Sequence, residues 1–590
     1  MSCRIQKNPD LSQLAFKWKQ TNSAKSVYSS TAYQPYKTSL ERAILNTEFL
    51  GKTLSGPFTI PSGIVTTATS IIQYMFDHMP QIGVITTKSV GPEPRVGNRE
   101  PVYSQYAPGC FVNAVGLTNP GAHVAAEAMS KLRIPEDRFL LVSIFGGSVE
   151  EFVEVAKIMA PVADGLELNL SCPHAKGYGM AMGQDPELVR EVTAAVKAVV
   201  DIPVIPKLTP NTPNVGEIAL AAVAGGADGI CAINTVGPGY TSSHGQPVLS
   251  NGAGGMSGKG VLPIALKCVR EIAAVTDVPI IGCGGVSSAH DTREFIKAGS
   301  TIVGVGSALT GMTTDDIASY FNQLESDLCF DSNKAEAHIR YDIDMDFEPV
   351  VLVENNRVCD DICVLTFDRK INVQAGEFVF LWVPGVGEKP FSALSDDPFQ
   401  LAVIDVGVFT HALMDLAVGT EVYVRGPHGI PASPPEDAKI MAVAGGTGLA
   451  AVYQLARDFG NAEVFTGART AERLYYLEEC KQIAEVHVAT DDGSEGFKGF
   501  VTELLRSRLL EMTPAELDNL VFYNCGPAPM VHAAAAVQRE FCRDDQIFSA
   551  IDYLTKCGVG ICGACAAPDG QRICVDGPFL QGSPARPQAS

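Results

Sequence analysis

Glu167-Leu168-Asn169-Leu170-Ser171-Cys172-Pro173-His174 starts as a strand and ends as a loop. Leu166, Leu168 and Leu170 alternate as a buried strand requires, and Pro173 cannot continue a ladder. Asn169, Ser171 and Cys172 therefore emerge at the carboxyl end of the strand. A thiol in that position can serve as a base, although a free cysteine is more often a small buried hydrophobe. The surroundings decide between the two.

Working outward, the same kind of run recurs between Phe58 and Leu309, at 58–62, 82–88, 139–145, 165–171, 203–208, 229–234, 278–283 and 301–306, with helical patterns between. Alternating strand and helix imply parallel strands with right-handed crossovers. Eight such units in about 250 residues predict a closed (β/α)8 TIM barrel, an α/β fold, over 46–327; an open doubly wound sheet is the alternative. In such a barrel the functional groups lie just after the strands. The strand ends here offer Ser62-Gly63, Lys88-Ser89, Gly146-Gly147, Asn169 with Cys172, Lys207, Asn234-Thr235, Gly284-Gly285 and Gly306-Ser307. One lysine would merely solvate a surface, but lysines, asparagines and a cysteine converging on one mouth predict a site. The glycine pairs after the seventh and eighth strands expose backbone N–H groups to an anion, which predicts a phosphorylated cofactor.

Several motifs carry a family resemblance. Asn113-Ala-Val-Gly-Leu-Thr-Asn119-Pro-Gly121, the Asn169–Pro173 run, Pro206-Lys207-Leu-Thr-Pro-Asn211, Asn234-Thr235 and Pro247–Gly258 resemble the FMN-binding catalytic subunit of dihydroorotate dehydrogenases, in particular the NAD-linked class 1B. The resemblance implies FMN, with its phosphate at Gly284, Gly285, Gly306 and Ser307. Ser62, Gly63 and Gly258 are implied as further cofactor contacts, and Lys207 beside the flavin ring. It implies that Lys88, Asn113, Gly116, Leu117, Asn169, Asn234 and Thr235 hold the pyrimidine, with Cys172 as base. The segment His174–Glu187 is instead similar to the corresponding loop of dihydropyrimidine dehydrogenases, which makes dihydrouracil or dihydrothymine the alternative substrate.

Composition narrows the partners. The chain has 590 residues, 46% of them hydrophobic, which is enough for several cores. A formal charge of −22 argues against nucleic acid or an anionic membrane as partner. No run of 18 apolar residues and no secretory core is present, so a cytoplasmic protein is expected. Residues 1–45 carry seven Lys/Arg against two acidic residues, and read as a surface extension rather than a transit peptide. Most of the sixteen cysteines lie singly in apolar segments, which excludes a disulfide framework, but four crowd near the C-terminus.

Beyond an acidic linker at 328–345 the period changes. Val350–Val353, Ile362–Phe367, Glu377–Val383, Gln400–Val406 and Glu421–Val424 predict a small antiparallel barrel over 346–432. Lys389-Pro390-Phe391-Ser392, Gly407 with Thr410, and Gly426-Pro427-His428-Gly429 resemble the FAD-binding half of ferredoxin-reductase-like proteins, with Lys389 where Arg is usual. That likeness implies FAD at Lys389, Phe391, Ser392, Thr410 and Gly426. Strand Ile440–Ala444 runs into Gly445-Gly446-Thr447-Gly448 and then a helix, which aims backbone donors and the positive helix end at a phosphate. With strands Glu463–Thr466 and Leu520–Asn524 it resembles the NAD lobe of the same reductases, over 433–545.

Finally, over 546–590, Cys557-x4-Cys562-x2-Cys565-x8-Cys574 has the spacing that opens plant-type 2Fe–2S ligation; zinc is the alternative, but only a single Cys-x2-Cys knuckle is present. This run resembles the electron-transfer subunit of class 1B dihydroorotate dehydrogenase, so two normally separate subunits are fused. The resemblance implies oxidation of dihydroorotate to orotate in pyrimidine biosynthesis, with electrons passing from FMN through the cluster and FAD to NAD. It also implies a homodimer. A flavin and iron–sulfur electron carrier without a pyrimidine substrate is the reading from a different class.

Overall fold

A computed structural model of the chain describes residues 47–170, 182–329, 343–551 and 554–582, and from Leu45 onward the chain packs as one body. Phe58–Ile60, Ile82–Thr86, Phe139–Ile144, Gly165–Asn169, Val204–Leu208, Ile230–Ala232, Ile280–Cys283 and Ile302–Gly304 are parallel neighbours in chain order and close into a barrel. Each lies inside a run marked by its β-branched residues. The helix Val149–Met159 illustrates the outer ring. Ser148 caps it by accepting from the Glu151 N–H at 3.3 Å. Its buried stripe, Phe152, Val155, Ala156 and Met159, packs with Leu140, Val142, Leu166 and Leu168 of the strands beneath. Removing the ring in Phe152→Ala would cost about 3–5 kcal/mol.

Because neighbouring residues of a strand face opposite ways, the lumen is lined by a separate set. Val84, Leu141, Ile205, Cys231, Ile281, Cys283 and Ile302 cluster with Phe49, Leu54 and Phe139. Phe49 and Leu54 come from the hairpin Thr47–Phe49 and Lys52–Leu54, and the Phe49 and Phe139 rings lie 5.6 Å apart. With the floor plugged, the carboxyl ends of the strands are the open side. Over them the chain builds an antiparallel sheet the sequence had not announced, in the order Val236–Gly239, Gly254–Gly258, Cys110–Asn113, Tyr103–Ala107. The last barrel helix is Thr314–Cys329.

The next sheet has the order Gly387–Phe391, Phe378–Val383, Glu421–His428, Glu348–Cys359, Ile362–Phe367, Phe399–Ile404, Ala393–Asp396. Its two edge strands are separated in sequence by Ser392 alone. A chain that crosses from one edge to the other in one residue requires the sheet to roll on itself, which gives the antiparallel barrel. Val350, Leu365, Val379, Leu401 and Val422 fill it.

The third sheet runs Phe497–Lys498, Glu485–Thr490, Ala462–Ala468, Lys439–Gly445, Leu520–Cys525, Ile547–Ala550, Leu580–Gln581, with only the last strand antiparallel. This corrects the boundary expected at 545/546. Ile547–Ala550 pairs in parallel with Leu520–Cys525 and belongs to the nucleotide sheet, so the cysteine segment begins after it and returns to the same sheet at Leu580. No helix among the described residues is long and apolar enough to cross a membrane. The extension 1–45, residues Ser171, Cys172 and His174, most of the linker and residues 583–590 lie outside the described residues.

Candidate active site and cofactor cradles

A chain of hydrogen bonds crosses the barrel mouth. Ser89 Oγ lies 3.0 Å from Ser62 Oγ and 2.9 Å from Ser143 Oγ. Asn169 Nδ2 donates to Ser89 Oγ at 3.0 Å, and Asn234 Nδ2 donates to Asn169 Oδ1 at 3.2 Å. The Thr235 N–H donates to Asn234 Oδ1 at 2.8 Å, and Asn211 Nδ2 donates to the Thr235 carbonyl at 3.2 Å. Residues at or just past the ends of the first six strands are thereby tied into one polar rim. Lys88 belongs to the same rim: a Cβ on Gly63 would lie 3.2 Å from Lys88 Nζ. Asn113 enters from the covering sheet, donating to the Gly255 carbonyl at 3.2 Å. Gly116 and Leu117 follow it in left-handed backbone, at φ 83° and 59°. Cys172, which follows Asn169-Leu170-Ser171 in the sequence, lies outside the described residues.

Beneath the rim, Lys207 Nζ faces Glu167 Oε1 at 3.6 Å, both side chains nearly inaccessible to solvent. Burial opposes the ammonium charge. Glu167 and the thiols of Cys231 and Cys283 outweigh it and hold Lys207 above its ordinary range, so it stays protonated. Glu167 was not assigned a role from sequence.

The phosphate cradle follows the seventh and eighth strands. Gly109, Phe111, Lys259, Gly285, Ser287 and Ser307 line one cavity. At Gly285, φ is 79° and a Cβ would lie 2.7 Å from the Gly258 carbonyl, so only glycine fits there. Gly284 and Gly306 flank these residues in the same two loops. Lys259 Nζ, missed in the sequence, sits 2.6 Å from buried Asp291, which Ser287 also contacts. Bare backbone donors beside a lysine fit the phosphate of FMN.

The cysteine loop fits an iron–sulfur cluster. Cys565 and Cys574 sulfurs are 3.4 Å apart, and the Gly560 N–H donates to Cys574 Sγ at 3.1 Å. Hydrogen bonds from Cys562 and Cys574 pull the Cys557 thiol well below its ordinary range, while the same bonds push Cys562 and Cys574 well above theirs, so Cys557 is the favoured thiolate of the set. The loop is seated on the barrel. Val65 N–H donates to the Ile561 carbonyl at 2.7 Å, Gly311 N–H to the Val559 carbonyl at 2.8 Å, and Thr67 Oγ1 to the Cys562 carbonyl at 2.7 Å. Fully buried Arg572 ties it down further, donating to the Gly560 and Met312 carbonyls at 2.7 Å each.

From the other side, Arg425 Nη1 donates to the Cys557 carbonyl at 3.1 Å and to His428 Nε2 at 3.1 Å, while Glu388 grips its fork. Burial and Arg425 push His428 down to about 3, so it is neutral and accepts. Lys389 and Phe391 lie on the edge strand Gly387–Phe391, Ser392 directly after it, and Gly426 in the strand Glu421–His428. Thr410 Oγ1 accepts from the Val406 and Gly407 N–H groups at 2.9 and 3.0 Å. Val406 and Val408, on either side of Gly407, are each 83% exposed, an apolar surface suited to a flavin nucleotide. In the nucleotide sheet, Gly445 ends the strand Lys439–Gly445 and Gly446 follows it, and a Cβ on Gly448 would lie 2.1 Å from the Cys525 carbonyl, so the helix Gly448–Phe459 starts hard against the sheet. A further group with metal-ligand reach, Glu463, Glu485 and His487, is discounted because Lys439 and Arg508 already pair with Glu463.

Comparison with known proteins follows these modules. Residues 44–325 match the family model for dihydroorotate dehydrogenase, 442–536 that for an oxidoreductase NAD-binding domain, and 554–584 that for the iron–sulfur cluster binding domain of dihydroorotate dehydrogenase B. The chain is 44% identical over 269 residues to the catalytic subunit of dihydroorotate dehydrogenase B (NAD(+)) of Pyrococcus horikoshii, covering 45% of this chain and 87% of that protein. To the subunit of the same name from Methanosarcina mazei it is 43% identical over 272 residues, covering 46% and 86%.

Proposed function

Because the chain belongs to the dihydroorotate dehydrogenase family, in the class 1B form with catalytic and electron-transfer halves fused on one polypeptide, we propose that it oxidises dihydroorotate to orotate and passes the electrons to NAD. The observation that carries the proposal is the seating of the four-cysteine loop, by Val65, Thr67 and Gly311, on the barrel that holds the polar rim. A chain whose barrel merely bound pyrimidines would have no use for that contact.

Dehydrogenation removes a proton from one ring carbon and a hydride from its neighbour. Asn169 and Asn234, oriented by Ser89 and by each other, offer amide donors and acceptors to the ring. Lys88 meets the substrate carboxylate, Asn113 and Thr235 complete the pocket, and Cys172 takes the proton. Lys207, kept charged by Glu167, would lie beside the ring of FMN. When bound, the flavins accept and deliver hydride and the 2Fe–2S cluster carries single electrons between them. Gly284, Gly285, Gly306 and Ser307 would hold FMN, with Gly258, Ser62 and Gly63. Lys389, Phe391, Ser392, Thr410 and Gly426 would hold FAD; Gly445, Gly446 and Gly448 would hold NAD; Cys557, Cys562, Cys565 and Cys574 would hold the cluster.

Anaerobic flavin bleaching with dihydroorotate and with dihydrouracil, followed by NAD, tests the assignment. Faster bleaching by dihydrouracil overturns it. Sixteen cysteines, most of them single in apolar segments, favour a reducing, cytoplasmic setting, and the implied homodimer is checked by light scattering, where a monomer mass refutes it.

A further inference from the structure

Glu100 joins three parts of the chain. It leaves the loop above the barrel, and its carboxylate takes Lys389 Nζ on Oε2 at 3.1 Å and Lys556 Nζ on Oε1 at 3.2 Å. Lys389 lies on the edge strand of the antiparallel barrel, and Lys556 directly precedes the cluster ligand Cys557. Burial opposes the Glu100 charge, but Lys556 and Lys389 hold it below the usual carboxylate range. Lys556 is itself pinned, donating to the Val96 carbonyl at 3.3 Å. Within the triad the Glu100 and Lys556 side chains are 6% and 3% exposed, against 39% for Lys389. Lys389 is thus the one member whose side chain reaches the surface, and its ammonium is held by a buried anchor.

We propose that Glu100 is a positioning residue for FAD: carried by the catalytic barrel, it aims the Lys389 ammonium at the FAD pyrophosphate. This rests on the assignment of Lys389 to FAD made above. An arginine presents its donors in a planar, pre-organised fork, whereas a lysine is a point charge on a flexible four-carbon stem. A lysine at a pyrophosphate site therefore gains from a brace that an arginine does not need. An ammonium has three donors; one spent on Glu100 leaves two for phosphate oxygens. Two lysines around one carboxylate also leave a net positive charge facing the anion. Since the brace comes from the barrel, FAD is held best when the halves are docked.

The test is retention of cofactors by the purified holoprotein on dilution, with FAD, FMN and the cluster followed separately. Glu100→Gln should release FAD about tenfold faster, the scale of one misdirected charge-assisted hydrogen bond, with FMN and cluster absorption retained. Glu100→Asp, which keeps the charge on a shorter arm, should show a smaller loss of the same kind. Adding Lys389→Arg to Glu100→Gln should restore FAD retention. Unchanged FAD release in Glu100→Gln, FMN loss in step with FAD, or no rescue by Lys389→Arg each overturns the proposal, the last two because they mean that the carboxylate only braces the fold. A wild-type protein without FAD sinks the cofactor assignment itself.

Discussion

Replacing Glu167 with Gln keeps the shape of the side chain and deletes the counter-charge of Lys207. At 3.6 Å and an effective dielectric near 20, the lost attraction is about 4–5 kcal/mol, in line with the roughly 3–5 kcal/mol cost of breaking a buried pair. Burial, which opposes the ammonium, then loses its largest opponent, so the Lys207 pKa falls from its wild-type position while the Cys231 and Cys283 thiols still act to raise it. The wild-type lysine, held above its ordinary value, does not titrate between pH 6 and pH 10. Single-turnover flavin reduction by dihydroorotate should therefore rise with pH as the Cys172 thiol ionises and stay high in the wild type. In Glu167→Gln it should turn over into a bell as Lys207 loses its proton. Stability gives an independent reading with a defined sign. A raised pKa stabilises the fold below the unfolded value of about 10.4, and that gain is lost only above the folded pKa, so the wild type has no slope from this group below pH 10. In the variant that gain shrinks, and once the folded pKa drops below the unfolded one the melting temperature should climb as the pH approaches about 10. A variant with a monotonic rate profile and a flat melting temperature would refute the role given to Glu167.

Cys562→Ser should spare flavin reduction by the pyrimidine but abolish its coupling to NAD; intact coupling would remove the cluster from the pathway. Cys172→Ala should keep both flavins and slow reduction by about 10²–10⁴-fold; if it stays fast while His174→Asn alone removes the pH dependence, the histidine is the base. Gly563→Ala would set a methyl 2.0 Å from the Val65 carbonyl and lift the cysteine loop from the barrel, so NAD reduction should fall while flavin bleaching persists. Equal loss of both rates would argue against the loop as the link.

The barrel was legible because eight apolar runs alternate with amphipathic helices, a local signal each segment carries alone. The rim was legible for the same reason, since strand ends are marked by the point where apolar alternation stops. Glu167 was not: in Leu166-Glu-Leu-Asn-Leu170 the leucines read as the core side, yet in a barrel they face the helices and the glutamate faces the lumen. Strand Gly387–Phe391 was hidden by Pro390, which an edge strand tolerates because it has one hydrogen-bonded side only. Strand Ile547–Ala550 was too short to separate from the cysteine segment beside it. Glu100 with Lys389, and Arg572 with the Met312 carbonyl, join residues 289 and 260 positions apart, a distance over which one sequence carries no pairing signal.

The hydrogen bonds from Val65, Thr67 and Gly311 to the cysteine loop join parts of a single molecule, and that changes how the enzyme responds to dilution. A separate catalytic subunit must find a reductase at whatever concentration the solution provides, and the pair comes apart below its dissociation constant. Here the tether holds the effective concentration of one half around the other near the millimolar range at any dilution. The halves therefore cannot drift into unequal numbers, and NAD reduction per molecule should stay constant from micromolar to picomolar enzyme.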